Sequence, residues 1–210
     1  MNEIDPEIER NLNDKIRLLS FYIMPLYPGL LISTAKNEER SASSEIHFIL
    51  TNRLGIEESS FRIRDTRISG LITVGLDDDM DPSEIISRLI RLEDDQAYFM
   101  HCLKIRPIAR VIDADVDTLV DAIREENIQR HGSFRISVNK RHSPISSMDI
   151  IKPVAALFSN PVDLDSPSWE IWIEIVADRL GYAVIEPEMV FSTQLAYQDQ
   201  DDDVPNWFLD

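Results

Sequence analysis

The spacing of apolar residues between positions 30 and 112 constrains the fold of this 210-residue chain more than any other feature. Short apolar runs and apolar residues at every second position predict strands, whereas apolar residues three or four positions apart predict helices. Along this region the spacing predicts, in order, a strand, a helix, two strands, a helix and a strand. The segments are residues 30–34, 42–54, 61–66, 70–76, 81–90 and 101–112.

Turn and cap residues at the ends of these segments support the assignment. Gly55 ends the first helix, and the short connection after residue 66 predicts a hairpin. Asp81 and Pro82 are typical of the N-cap and the first position of a helix, whereas Pro107 requires a strand edge or a bulge. The order of elements is that of a ferredoxin-like sandwich, four antiparallel strands backed by two helices. We therefore predict such a domain over residues 29–113.

The second half of the chain predicts a separate α/β domain over residues 114–193, because strands and helices again alternate there. A helix begins at Asp115 and ends at His131-Gly132, and a strand covers Phe134–Val138. The next helix has a Ser146-Ser147 cap, and Pro153 inside it should bend the helix or shift its start. Two strands follow, at residues 170–177 and 182–185. The chain as a whole is thus predicted to have an α+β fold.

Both ends of the chain differ from these domains. Residues 1–28 predict an amphipathic helix that docks on the following domain or on a second copy of the chain, which makes a homodimer one alternative. Residues 194–210 form an acidic tail, either frayed or holding a partner through its last apolar residues. Pro25, Pro28 and Gly29 interrupt the most apolar stretch, and no basic leader precedes it. We therefore expect no membrane contact and a cytoplasmic location.

Acidic residues exceed basic ones by 38 to 21, which gives a formal net charge of −17. Such an excess argues against nucleic acid as a partner, because lysine and arginine provide most of the binding to phosphates. Net charge is an average, however, and a local basic surface remains compatible with it. Most of the cations are arginines, whose forked side chains suit phosphate binding.

The sequence shows none of the common catalytic motifs. It has no glycine-rich phosphate loop, no G-x-S-x-G and no H-E-x-x-H. The four histidines share no metal-ligand spacing, and Cys102 is the only cysteine. His101 and Cys102 would point to opposite faces of a strand and so could not act together. We therefore predict no metal, no cofactor and no catalytic residue.

One group of cations stands out in the acidic second half: Arg135, Lys140, Arg141, His142 and Lys152. The strand that begins at Phe134 would carry these side chains toward the start of the Ser146 helix. Phosphate is attracted by cationic side chains and by the free amides of a helix start. The alternative is that these cations form surface ion pairs with Asp149 or Asp163.

The second half resembles a THUMP domain, a module shared by RNA-modifying proteins. The resemblance is carried by FRISVNKRHS at 134–143, MDIIKPVAALF at 148–158, VDLDSP at 162–167, EIWIEI at 170–175 and MVFS at 189–192. Segments of the first half, such as SGLITVGL at 69–76 and KIRPIARVIDADVDTLVDAI at 104–123, resemble the ferredoxin-like domain that accompanies this module. Together the likeness covers roughly residues 30–193, and it is greatest to the stand-alone THUMP proteins of the tRNA acetylation adaptor family.

This resemblance implies a function. Members of the family bind tRNA near the acceptor stem, and in the adaptor branch a separate RNA cytidine acetyltransferase makes N4-acetylcytidine. It implies RNA contacts at Lys140, Arg141 and His142, with weaker matches at Arg106 and Arg110. The prediction is thus a non-catalytic tRNA-binding adaptor. Two alternatives stay open: a protein-interaction scaffold with little affinity for RNA, and an RNA-modifying enzyme with an unrecognised site.

Overall fold

The computed structural model describes residues 26–92 and 99–193, which form two compact units. The first unit contains residues 29–107 and 189–193, and the second contains residues 26–28 and 108–188. The predicted N-terminal helix and the acidic tail lie outside the described residues, except for positions 26–28. No helix within the described ranges has the length and apolarity needed to span a bilayer.

Strands and helices are interspersed along the chain, which confirms the predicted α+β class. In chain order they are β1 (Gly29–Ser33), α1 (Glu39–Phe48), β2 (Phe61–Ile68), β3 (Leu71–Leu76), α2 (Pro82–Arg91), β4 (Lys104–Ile108), β5 (Arg110–Asp113), α3 (Val116–Glu125), β6 (Phe134–Arg141), α4 (Ser147–Ala155), β7 (Trp169–Val176), β8 (Arg179–Ile185) and β9 (Phe191–Ser192). A π-helical turn, Ile49–Arg53, extends α1.

The first unit is built on a five-stranded sheet with the order β2-β3-β1-β4-β9. Strand β3 is antiparallel to both β1 and β2, and α1 and α2 occupy the predicted places in the βαββαβ order. One face of the sheet, with Leu30, Ile32 and Val74, packs against Ile46 of α1 and Ile86 of α2 in a single apolar core. The caps also agree with the prediction, because the Asp81 carboxylate accepts a hydrogen bond from the Ser83 amide at 2.8 Å.

The predicted strand over residues 101–112 is two strands in the structure. Strand β4 ends at Ile108 in the first sheet, and β5 pairs with β8 in the second sheet, from Arg110 opposite Tyr182 to Asp113 opposite Arg179. Pro107 has no amide hydrogen to donate, and the pairing of β4 with β9 covers only Lys104 and Ile105. The boundary between the units follows Pro107, whereas the sequence predicted it after residue 113. Strand β9, near the end of the described residues, belongs to the first unit.

The second unit has a four-stranded sheet with the order β5-β8-β7-β6, in which β6 and β7 are parallel. Its core combines Leu119 and Ile123 of α3 and Ile150 and Val154 of α4 with the inner residues of the sheet. Strand β7 is buried along its whole length.

Two helix ends in this unit differ from the prediction. Helix α3 ends at Glu125 rather than at Gly132, because Asn127 adopts a left-handed conformation with φ of 48°. Helix α4 starts at Ser147 without a side-chain cap from Ser146, and it stops two residues after Pro153. Pro153 therefore lies in the last turn of the helix, and the helix ends close to it.

Candidate nucleic-acid interface

The predicted cation cluster is centred on β6, and the alternation of that strand decides where each side chain lies. Phe134 and Ile136 belong to the apolar core. Arg135 and Arg141, an odd number of positions from these residues, lie on the opposite face of the sheet. The neighbouring strand β7 presents Glu170 and Glu174 on this same face, since Arg135 is in register with Glu170 and Asn139 with Glu174.

Both arginines of the cluster form ion pairs with these buried glutamates. Arg135 donates from Nε and Nη2 to the two carboxylate oxygens of Glu170, at 3.2 and 2.8 Å. The hydrogen bonds with Glu170 raise the pKa of Arg135 above its ordinary value. Arg141 donates to Oε1 of Glu174. The partners are thus β7 glutamates, and not the Asp149 or Asp163 considered from the sequence.

The Arg141–Glu174 pair lies deeper than an ordinary surface ion pair. The side chain of Glu174 is 1% exposed and that of Arg141 is 31% exposed. Burial lowers the pKa of the Arg141 guanidinium, and Oε2 of Glu174 has no hydrogen-bond partner. Arg141 is therefore needed to balance a carboxylate that water does not reach, and its charge is largely committed within the domain.

Lys140, His142 and Lys152 remain exposed. Lys140 donates from Nζ to the carbonyl oxygen of Ile145 at 3.0 Å, which holds the ammonium group near the start of α4. No carboxylate among the described residues forms an ion pair with Lys140 or Lys152. These two lysines are the cations of the cluster whose charge is available to a phosphate.

Arg110 belongs to β5, at the opposite edge of the second sheet from β6. Arg110 forms an ion pair from Nε to Oε1 of Glu126 at 2.9 Å, and the same oxygen accepts a hydrogen bond from the Tyr182 hydroxyl at 2.8 Å. Burial and this carboxylate raise the pKa of Tyr182 above its ordinary value. Arg110 thus ties β5 to the end of α3. Arg106 belongs to β4 of the first unit, so the structure assigns the two arginines to different units.

A second group of cations lies on the first sheet, and Arg106 is the member of it that was predicted from the sequence. Arg62 and Arg64 of β2 and Lys104 and Arg106 of β4 alternate with core residues, so they share the face opposite to α1 and α2. Burial, and then repulsion by the charge of Arg106, lower the pKa of Lys104. The two pairs are separated by β3 and β1, which places them about 14 Å apart at the usual strand spacing. The sequence signal that could have predicted this group is the pair of cations at alternate positions in FRIR (61–64) and in KIRP (104–107).

The described residues contain no group of three or more histidine, cysteine, aspartate or glutamate side chains placed to hold a metal ion. The Cys102 thiol is buried, which raises its pKa far above the ordinary value, and its sulfur lies near the carbonyl of Ala42. His101 instead pairs through Nδ1 with Glu38 at 3.1 Å. His101 and Cys102 therefore have separate partners in the structure.

Comparison with solved structures finds distant similarity. The protein PH1313 from Pyrococcus horikoshii Ot3 matches 75% of this chain at 17% identity and a TM-score of 0.51, over 54% of its own length. TrmN from Thermus thermophilus matches 74% of this chain at 14% identity and a TM-score of 0.49, over 44% of its length. A 4-thiouridine synthetase solved with RNA and ATP matches 75% of this chain at 12% identity and a TM-score of 0.47, over 41% of its length.

At such low sequence identities these matches show a similarity of fold only. This chain spans about half or less of the length of each of the three proteins. A search of the curated proteins finds no significant match. The sequence model of the THUMP domain family matches residues 114–183 of this chain. This range runs from the start of the second predicted domain into β8. The chain therefore contains a THUMP domain, formed by residues 114–183.

Proposed function

We propose that this chain is a non-catalytic tRNA-binding protein that presents tRNA to a separate RNA cytidine acetyltransferase in the cytoplasm. The observation that carries the proposal is the THUMP domain at residues 114–183, because THUMP domains bind RNA in tRNA modification. The adaptor role and the acetylation reaction rest on the resemblance to the tRNA acetylation adaptor family.

The charges on the second unit support RNA binding at particular lysines. Glu170 and Glu174 are almost fully buried and face Arg135 and Arg141, so part of the acid excess is neutralised inside the domain. Lys140 and Lys152 then carry the charge that phosphate contacts need. The double substitution K140E/R141E, which the sequence alone would suggest, would also unbalance buried Glu174, so Lys140 and Lys152 are the better test.

The test compares two variants that change the net charge by the same amount. K140E/K152E alters the proposed contacts, whereas K36E/R40E alters two exposed cations of the first unit. We expect K140E/K152E to weaken tRNA binding at least tenfold in a gel-shift titration. The slope of log affinity against log salt should fall by about 1.4–1.8, because each phosphate contact contributes about 0.7–0.9.

The control decides how a loss of affinity is read. An equal loss in K36E/R40E would mean general repulsion by added negative charge, and it would contradict a site at Lys140 and Lys152. Unchanged binding by K140E/K152E would contradict it too. The face formed by Arg62, Arg64, Lys104 and Arg106 offers a second set of phosphate contacts, so R62E should lower affinity independently.

The adaptor role is tested by the reaction. We expect N4-acetylcytidine only when the chain, tRNA, acetyl-CoA and the acetyltransferase are all combined. Product formed by the chain alone would favour an enzyme. The competing function, a protein scaffold without RNA affinity, is favoured by the net charge of −17 and by the pairing of Arg135 and Arg141, and it predicts no tRNA binding by the unaltered chain.

A further inference from the structure

The loop between α4 and β7 is held firmly to the start of β6. Asn160 donates from Nδ2 to the carbonyl oxygens of Arg130 and Gly132, at 3.0 and 2.9 Å. Phe134 donates its amide to Pro161 and accepts from the amide of Asp163, at 2.9 and 3.0 Å. Backbone contacts on both sides of Val162 thus fix the conformation of this loop.

Further hydrogen bonds close the second half of the loop. One carboxylate oxygen of Asp163 accepts from the amides of Asp165 and Ser166, at 3.0 and 2.9 Å. Arg135 donates from Nη1 to the carbonyl oxygen of Leu164 at 2.8 Å. The loop is therefore pre-organised, and a partner that binds it would pay little entropy to order it.

This ordered loop presents two apolar side chains to solvent. Val162 is 62% exposed and Leu164 is 66% exposed. Single exposed apolar residues are common on protein surfaces, but two of them, two positions apart on one fixed loop, offer an anchor that a partner can cover. We refer to Val162 and Leu164 with the intervening Asp163 and the following Asp165 as the 162–165 ridge.

The charge of the 162–165 ridge decides which class of partner it suits. Both backbone amides that bind Asp163 lower the pKa of its carboxyl, so it stays ionised at neutral pH. Asp165 is exposed beside it. Arg135 interacts electrostatically with Asp165, but its guanidinium is bound by the carboxylate of Glu170. An RNA backbone would be repelled by these two carboxylates, whereas lysine or arginine side chains around an apolar surface would complement them.

We propose that the 162–165 ridge is a docking site for a protein surface that combines apolar side chains with lysine or arginine. The ridge lies at the start of β6, where Val162 bridges to Phe134, and Lys140 lies six residues further along the strand. Six residues span about 20 Å in a strand. This separation would let tRNA bind at Lys140 while a protein binds the ridge. If that protein is the acetyltransferase, the choice of partner rests on the proposed function; the docking site itself does not.

The test uses the full chain and two labelled amphipathic helical peptides, one of leucine and lysine and one of leucine and glutamate. Binding is measured by fluorescence anisotropy at physiological salt. We expect the lysine peptide to bind at least tenfold more tightly than the glutamate peptide. V162S/L164S keeps the charge of the chain but should bind the lysine peptide at least tenfold more weakly. M148S, which alters another half-exposed apolar residue of the same unit, should bind it as the unaltered chain does.

Two further measurements separate the outcomes. D165K keeps the apolar pair and reverses one charge, so it should weaken binding of the lysine peptide even if V162S/L164S folds poorly. Equal affinity of V162S/L164S and the unaltered chain, or no binding of the lysine peptide at all, would overturn the docking site. Titration with tRNA is done in parallel: V162S/L164S should keep its tRNA affinity, and failure of the unaltered chain to bind tRNA would contradict the proposed function alone.

Discussion

Replacing Arg141 with methionine should destabilise the second unit mainly by leaving the Glu174 carboxylate uncompensated. Removing one partner of a buried ion pair costs about 3–5 kcal/mol. Protonation limits this cost, because a glutamate with an ordinary pKa of about 4.3 can be protonated at pH 7 for about 1.36 × 2.7, or roughly 4 kcal/mol. Since water reaches part of Arg141 but not Glu174, we expect R141M to lower the free energy of unfolding by about 3 kcal/mol at pH 7.

The same reasoning fixes the pH dependence of this loss. In folded R141M the buried carboxyl favours its neutral form, so the folded state binds a proton that the unfolded state releases above its own pKa. Stability relative to the unaltered chain is therefore lost as the pH rises and recovered as it falls. At pH 5 protonation costs only about 1 kcal/mol, and the difference between R141M and the unaltered chain should shrink to about that value.

Urea unfolding followed by tryptophan fluorescence measures these differences. Trp169 and Trp172 both lie in β7, and Trp207, outside the described residues, is replaced by phenylalanine in every variant. E174L removes the buried charge itself, so it should cost less than R141M, and R141M/E174L should recover most of the loss. R124M breaks an exposed pair with Asp121 and should change stability by less than about 1 kcal/mol. The reasoning is refuted if R141M costs no more than R124M, or if its cost does not fall between pH 7 and pH 5.

Two other substitutions test features of the fold. G29A should destabilise the first unit by about 3 kcal/mol or more in chemical denaturation, because Gly29 has φ of +142° and an added Cβ would overlap the carbonyl of Val74. G55A is the matched control: the space around Gly55 is open, so this variant should cost only about 1 kcal/mol. Hydrogen bonds from Thr118 lower the pKa of Asp115, so this cap contributes stability above the ordinary pKa and loses it as the pH falls through the folded value. D115A should therefore unfold more easily at neutral pH, and its difference from the unaltered chain should narrow below pH 4; a constant difference would contradict the link to ionisation.

Elements fixed by neighbouring residues could be predicted from the sequence. The Asp81 cap depends on an amide two positions away, and the hairpin of β2 and β3 depends on a short turn. The order of strands and helices in the first unit follows from apolar spacing within each segment. Such features need no knowledge of distant contacts.

The candidate site was harder to predict because it depends on strand register. Arg135 meets Glu170 only because Phe134 lies opposite Trp169 in the parallel pair of β6 and β7, and the two charges are 35 residues apart in sequence. Local spacing instead pointed to Asp149 and Asp163. Arg62, Arg64 and Lys104 were missed for a similar reason, since Arg62 and Lys104 share a face only once β2 and β4 join one sheet.

Strand β9 has a consequence for the synthesis of this protein on the ribosome. The Thr193 hydroxyl, directly after β9, donates to the carbonyl of Leu103, 90 residues earlier in the chain, and Phe191 of β9 packs on Phe99 with ring centres 4.2 Å apart. At about 5–20 residues per second, translation needs about 5–20 s to cover that interval. During this time one edge of the nascent β4 has no strand paired with it. The first sheet can therefore be completed only after the whole THUMP domain has left the translating ribosome.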